Sequence, residues 1–124
     1  MKTTKNLWKA GFTLVEIMIV VAIIGLLAAI CIPNFVKARA SAQANACINN
    51  LRQIDAAANE WALEWGQVNG NPIVFPAELT PYIKLNSAGQ IPPCPAGGSY
   101  NDPTVGGNPT CSLAKTVTPW HVMP

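Results

Sequence analysis

A chain of 124 residues, half of them hydrophobic and 11% charged, has room for one small domain and little more. Its formal charge of +2 comes from eight basic and six acidic side chains, and Lys2, Lys5 and Lys9 all precede Gly11. Without the first eleven residues, five basic side chains face six acidic ones, a balance of −1, which leaves no chain-wide electrostatic case for binding nucleic acid.

Residues 1–11 carry three lysines and no acid, and are too polar for the apolar region of a secretory signal. They suit a cytoplasmic tail retained by the positive-inside rule, with the later residues outside. An apolar block follows, from Phe12 to Val36, and Glu16 is the single charge that interrupts it. Twenty-odd apolar residues at about 1.5 Å each span a hydrocarbon core of roughly 30 Å. This predicts a membrane-spanning helix over residues 12–36. Inside it, Gly25 adds backbone freedom and Pro33 removes one hydrogen bond while crowding the preceding turn, so both are expected weak points.

The string Gly11-Phe12-Thr13-Leu14-Val15-Glu16, followed by the apolar run, resembles the processing and methylation segment of type IV pilins and of the pilin-like subunits of type II secretion systems. The resemblance extends from about Lys9 to Arg39, roughly a quarter of the chain. It implies cleavage after Gly11 by a dedicated membrane peptidase, which also methylates the new amine of Phe12. It further implies a structural subunit rather than an enzyme, one that polymerises through its amino-terminal helix into a type IV pilus or a secretion pseudopilus. The implied partners are copies of the chain itself, the peptidase and methyltransferase, an inner-membrane assembly platform driven by a cytoplasmic ATPase, and membrane lipid before assembly. The implied location is the inner membrane for precursor and processed monomer, then a periplasmic or extracellular filament. In packed type IV pilins the interval from Gly25 to Pro33 melts locally, and the resemblance carries that expectation here.

Glu16 has a physical role within this reading. A carboxylate in hydrocarbon costs on the order of 2.5–3.5 kcal/mol unless it finds a partner. Cleavage would supply one, the positive amine of Phe12 on a neighbouring subunit. A buried charge pair adds little net stability but fixes register, because either charge left alone is costly.

Other readings of the apolar block remain open. A conventional secretory cut would follow small residues such as those of Ala38-Arg39-Ala40 or Ala40-Ser41-Ala42, but the apolar run is long for such a signal and contains Glu16. A lipoprotein cut before Cys31 would want a small residue where Ile30 stands. A plain uncleaved anchor also fits the hydropathy. Each of these would make the chain a membrane-anchored or secreted small binding domain that forms no polymer. A pilin for DNA uptake is disfavoured by the absence of a basic cluster in the tail.

Beyond Asn34 the pattern becomes periodic. Ala44, Cys47, Ile48, Leu51, Ile54, Ala58, Trp61 and Trp65 recur at steps of three and four, one apolar stripe on a continuing helix over residues 37–66. Trp61 and Trp65 read as core anchors. Gly66 and the string Asn69-Gly70-Asn71-Pro72 end the helix. An unbroken helix from Phe12 to Trp65 would be a rod of roughly 80 Å.

Residues 67–124 hold ten of the eleven prolines and six of the nine glycines, which excludes long regular elements. The stretch from Pro76 to Ile83 predicts a single helical turn that tucks Leu79, Tyr82 and Ile83 inward. Three short strands are expected at residues 94–100, 109–113 and 116–123. Fewer than sixty residues cannot bury a sufficient core alone, so the tail needs the helix stripe as its floor. The expected fold class is α+β: a long amino-terminal helix packed against a small antiparallel β-sheet.

Cys94 and Cys111 bracket a loop, and the hairpin reading places them opposite one another. A disulfide there would contribute about 3 kcal/mol in the chain-entropy model. Two free buried thiols, or a pairing that recruits Cys47, remain open alternatives. Cys47, Cys94, Cys111 and His121 together offer the donor atoms a zinc ion takes. Their spacings are irregular and no C-x-x-C occurs, so no metal site is expected. Acidic residues of the tail loop bind calcium in the major secretion pseudopilins, but here Asp102 is the only carboxylate offered. His121 has no nucleophile or orienting carboxylate nearby in sequence and Gly97-Gly98 begins no phosphate loop, so neither catalysis nor a cofactor is expected.

Overall fold

A computed structural model describes residues 10–124, and the fold is read from those. The expected leader at residues 1–11 lies almost wholly outside the described part. One α-helix dominates: α1, Leu14–Trp65, 52 residues long. A single 3-10 turn, Thr80–Tyr82, follows it. The chain divides into two compact units, Met1–Val36 and Lys37–Pro124, and α1 contributes to both.

In the first unit the helix is apolar on every side and almost wholly uncovered. Ile17, Met18, Val21, Ile24, Leu27 and Ile32 all stand exposed, each at 47% or more. By length and composition this helix can cross a membrane, and among the described residues nothing packs over its most apolar stretch. The helical backbone runs through both Gly25 and Pro33 without interruption.

The second unit is built as the periodicity requires. Ala44, Cys47, Leu51, Ile54, Ala58 and Trp61 are buried, and Ala57 and Ala62 widen the stripe beyond the expected positions. Ile48 is half-buried at the border. Trp65 departs from the expectation. It is 64% exposed, and its indole N–H donates to the Tyr82 hydroxyl at 3.3 Å, so only Trp61 serves as a core anchor. Tyr82 in turn donates to the Glu64 carboxylate. Gly66 adopts φ +62°, a left-handed cap, and the Gln67 N–H reaches the Ala62 carbonyl at 2.8 Å, closing the helix as a Schellman-type end.

The tail covers this stripe in two patches. Ile54, Ala58, Trp61 and Ala62 pack with Ile73, Leu79, Ile83 and Val105. The turn from Pro76 to Ile83 forms much as expected, with Leu79 and Ile83 buried and Tyr82 half-buried. Nearer the start of the second unit, Cys47 and Leu51 pack with Cys94 and Cys111, flanked by Tyr100, Leu113 and Met123.

The three expected strands are not formed. Among the described residues there is no β-strand, only two isolated antiparallel bridges, Pro72 with Thr104 and Tyr100 with Cys111. Prolines at 92, 93, 95, 103 and 109 have no N–H to donate, and the glycines between them favour turns over ladders. The hairpin survives as one bridge with flanking bonds: Asn101 N–H to the Thr110 carbonyl at 3.0 Å and Ser112 N–H to the Ser99 carbonyl at 2.8 Å. Residues 116–123 run as coil, held by the His121 N–H on the Ala114 carbonyl at 3.0 Å.

Candidate functional site

The amino-terminal site is built around the start of α1. Gly11 and Phe12 precede the helix in exposed chain without regular structure, and Phe12 is 85% exposed. The peptide bond between them has a glycine on one side and a large, exposed apolar residue on the other. Glu16 sits in the first turn of α1.

Its carboxylate accepts the Thr13 backbone N–H at 2.9 Å, while the Glu16 N–H donates to the Thr13 hydroxyl at 3.3 Å. This is a capping box: two donors that a helix start leaves unpaired are satisfied reciprocally. The signal, threonine followed three residues later by glutamate ahead of an apolar run, lies open in the sequence, although the role read from the sequence for Glu16 was charge pairing alone. The carboxylate is anchored beside the first backbone amides of the helix.

Gly25 has nothing within 4 Å of a side chain built on it, so the helix face there is open to a neighbour's approach. Pro33 lies inside the helix, close to the division between the two units.

The second constellation lies within the carboxy-terminal unit. Cys94 and Cys111 are both buried and unbonded. They are not alone: Cys47 from α1 and His121 from the terminal coil join them, and the four donor atoms all lie within 4.8 Å of one another. His121 is 2% exposed, and its Nδ1 stands 3.4 Å from the Cys94 sulfur. The irregular spacing in sequence does not keep these four ligand-type atoms apart in the fold. The ligand-type atoms come from a helix, a turn, a bridge and a coil, and no local motif records such a convergence.

Cys94 opens a tight turn closed by the Gly97 N–H on its carbonyl at 2.9 Å. Burial works to raise the Cys94 thiol pKa, yet hydrogen bonds from the Ala96 and Gly98 backbone amides and from the neighbouring thiols outweigh it, and the net direction is downward. Cys47 is pushed up, first by burial and then by its thiol neighbours. On the rim, the Asn50 amide donates to the Tyr100 hydroxyl at 3.0 Å and reaches the Pro92 and Pro93 carbonyls at 3.4 Å.

Comparison with known proteins places the amino-terminal site in a recognised class. Residues 9–32 match the prokaryotic N-terminal methylation motif. The chain is 57% identical over 44 residues to the type IV major pilin protein PilA of Myxococcus xanthus, covering 36% of this chain and 20% of the relative. It is 39% identical over 66 residues to a fimbrial protein of Neisseria meningitidis serogroup B, covering 53% of this chain and 39% of that one. A fimbrial protein of Pseudomonas aeruginosa is 43% identical over 58 residues, 47% of this chain and 38% of the relative. The matches thus span well under half the length of these curated relatives. No solved structure matches the chain.

Proposed function

We propose that this chain, whose amino-terminal segment is of the type IV pilin kind, is a structural filament subunit that polymerises through α1. The observation that carries this reading is an entirely apolar, uncovered helical half preceded by Gly11-Phe12 and bearing one carboxylate in its first turn. In water such a surface has no place. In lipid it is solvated, and in a bundle of copies it is packed.

In this proposal a prepilin peptidase cleaves after Gly11 and a methyltransferase activity modifies Phe12. The processed monomer waits in the inner membrane, surrounded by lipid. An assembly platform in that membrane then lifts it into a filament that projects into the periplasm or beyond. Each incoming Glu16 docks against the charged amine of Phe12 on a neighbouring copy, which sets the axial stagger. The interval from Gly25 to Pro33 loosens as helices pack, since neighbours can satisfy backbone groups that the lone helix cannot. A type IV pilus and a secretion pseudopilus both use this chemistry. The names of the relatives favour the pilus. The chain's work is structural, not catalytic.

The test is the amino terminus of the protein recovered from membranes and from sheared surface fibres. N-methylphenylalanine at Phe12 in both fractions is the expected result. A chain that starts at Ser41 or Gln43, or that keeps Met1 in the working form, overturns it.

A further inference from the structure

We infer that Cys47, Cys94, Cys111 and His121 form a structural zinc site that ties the tail to the outer half of α1. A zinc ion takes four ligands in a tetrahedron, thiolate sulfurs at about 2.3 Å and imidazole nitrogen at about 2.0–2.1 Å. That geometry separates sulfur from sulfur by about 3.8 Å and sulfur from nitrogen by about 3.5 Å. The four donor atoms here all fall within 4.8 Å of one another, and the Cys94 sulfur is 3.4 Å from His121 Nδ1. Donors from four separate places in the chain therefore converge on one tetrahedron-sized space, and all four residues are buried. Three thiols and one imidazole, with no carboxylate among them, are a donor set suited to zinc rather than to calcium or magnesium.

The surroundings match a closed structural site rather than a catalytic one. Tyr100, Leu113 and Met123 pack against the cysteines, and all four donor residues are buried. Binding would release up to three protons, one from each thiol, with neutral imidazole as the fourth ligand. A disulfide is the competing use of these atoms. It would join two sulfurs and leave the third thiol and the buried histidine with no shared function. The cluster presents three mutually adjacent thiols, and nothing in it singles out one pair.

The experiment uses the full chain, extracted from membranes in detergent under anaerobic conditions, with Cys31→Ala removing the one thiol outside the cluster. Elemental analysis is expected to find about one zinc per chain. Iodoacetamide is expected to leave Cys47, Cys94 and Cys111 unmodified until a chelator is added, after which all three react. Zinc replaced by cobalt should give the visible bands of a tetrahedral ion with thiolate charge-transfer absorption. His121→Cys should retain the metal and His121→Phe should lose it, and the cobalt spectrum needs no variant at all. An intact mass showing a disulfide among the three cysteines without zinc overturns the inference. So do three free thiols that take up no zinc, or a cobalt spectrum of six-coordinate oxygen ligation.

Discussion

Gly98 passes so close to Cys111 that a methyl group on its α-carbon would stand 2.6 Å from the sulfur and 3.0 Å from the Leu113 side chain. The backbone at 98 can pass there because it carries no side chain. Gly98→Ala forces Cys111 and Leu113 to move together. The expected cost is about 1–3 kcal/mol, the range for overfilling a packed interior. Urea unfolding of the detergent-extracted protein measures it. Gly89→Ser, with open space around it, gives the comparison for a loop glycine whose cost is conformational alone.

Capping and charge at Glu16 can be separated. Glu16→Gln keeps an oxygen for the Thr13 N–H but removes the negative charge, whereas Glu16→Ala removes both. If inter-subunit pairing with the Phe12 amine sets the stagger, both variants are processed and inserted, and both yield few fibres. If the glutamate matters only as a cap, worth about 1 kcal/mol, Glu16→Gln assembles normally. Fibre yield after shearing distinguishes them.

Core substitutions on the outer half of α1 should split sharply by face. Leu51→Ala and Ile54→Ala empty space at residues with no exposure, with an expected loss of about 2–5 kcal/mol each. Leu63→Ala, at a position 85% exposed, should change stability by less than about 0.5 kcal/mol. Chemical denaturation of the three variants reads the difference directly.

Asn50 ties α1 to the tail through one amide. Asn50→Ala removes its bond to the Tyr100 hydroxyl and its reach to the carbonyls of Pro92 and Pro93. The loss should be about 1–3 kcal/mol, because partly buried acceptors are left without a donor. Asn50→Asp, which cannot donate to those carbonyls, should be no milder.

Stripping metal from the chain should act locally. Residues 94–121 are expected to gain amide exchange and protease sensitivity, while the patch around Ile73, Leu79 and Ile83 keeps its protection. Hydrogen exchange with and without chelator measures this. Equal loosening of both patches would mean that they open as one unit.

The helix was legible because its signals are local and repeated. An apolar run of bilayer length, a stripe at steps of three and four, and Gly66 as the stop each mark their own position. The capping box was equally legible and needed only the Thr13-to-Glu16 spacing. The sheet was not. Apolar runs between prolines suggest strands, but a ladder needs donors that residues such as Pro92, Pro93, Pro95 and Pro109 lack, so two bridges are what forms. The buried cluster was hidden for a different reason. Cys47 looks like one more small residue on a stripe, and His121 like a stray near the end. Only folding brings them beside Cys94 and Cys111.

The sparse pairing of the tail has a consequence for crowding. In a dense fibre many copies of this domain would sit shoulder to shoulder, the arrangement in which long unpaired sheet edges recruit one another into runaway aggregates. Two single bridges studded with proline leave almost no such edge among the described residues. In such a fibre, contacts between neighbouring tails would be made by side chains and turns, and the surface could change its chemistry without collapse into cross-β stacks.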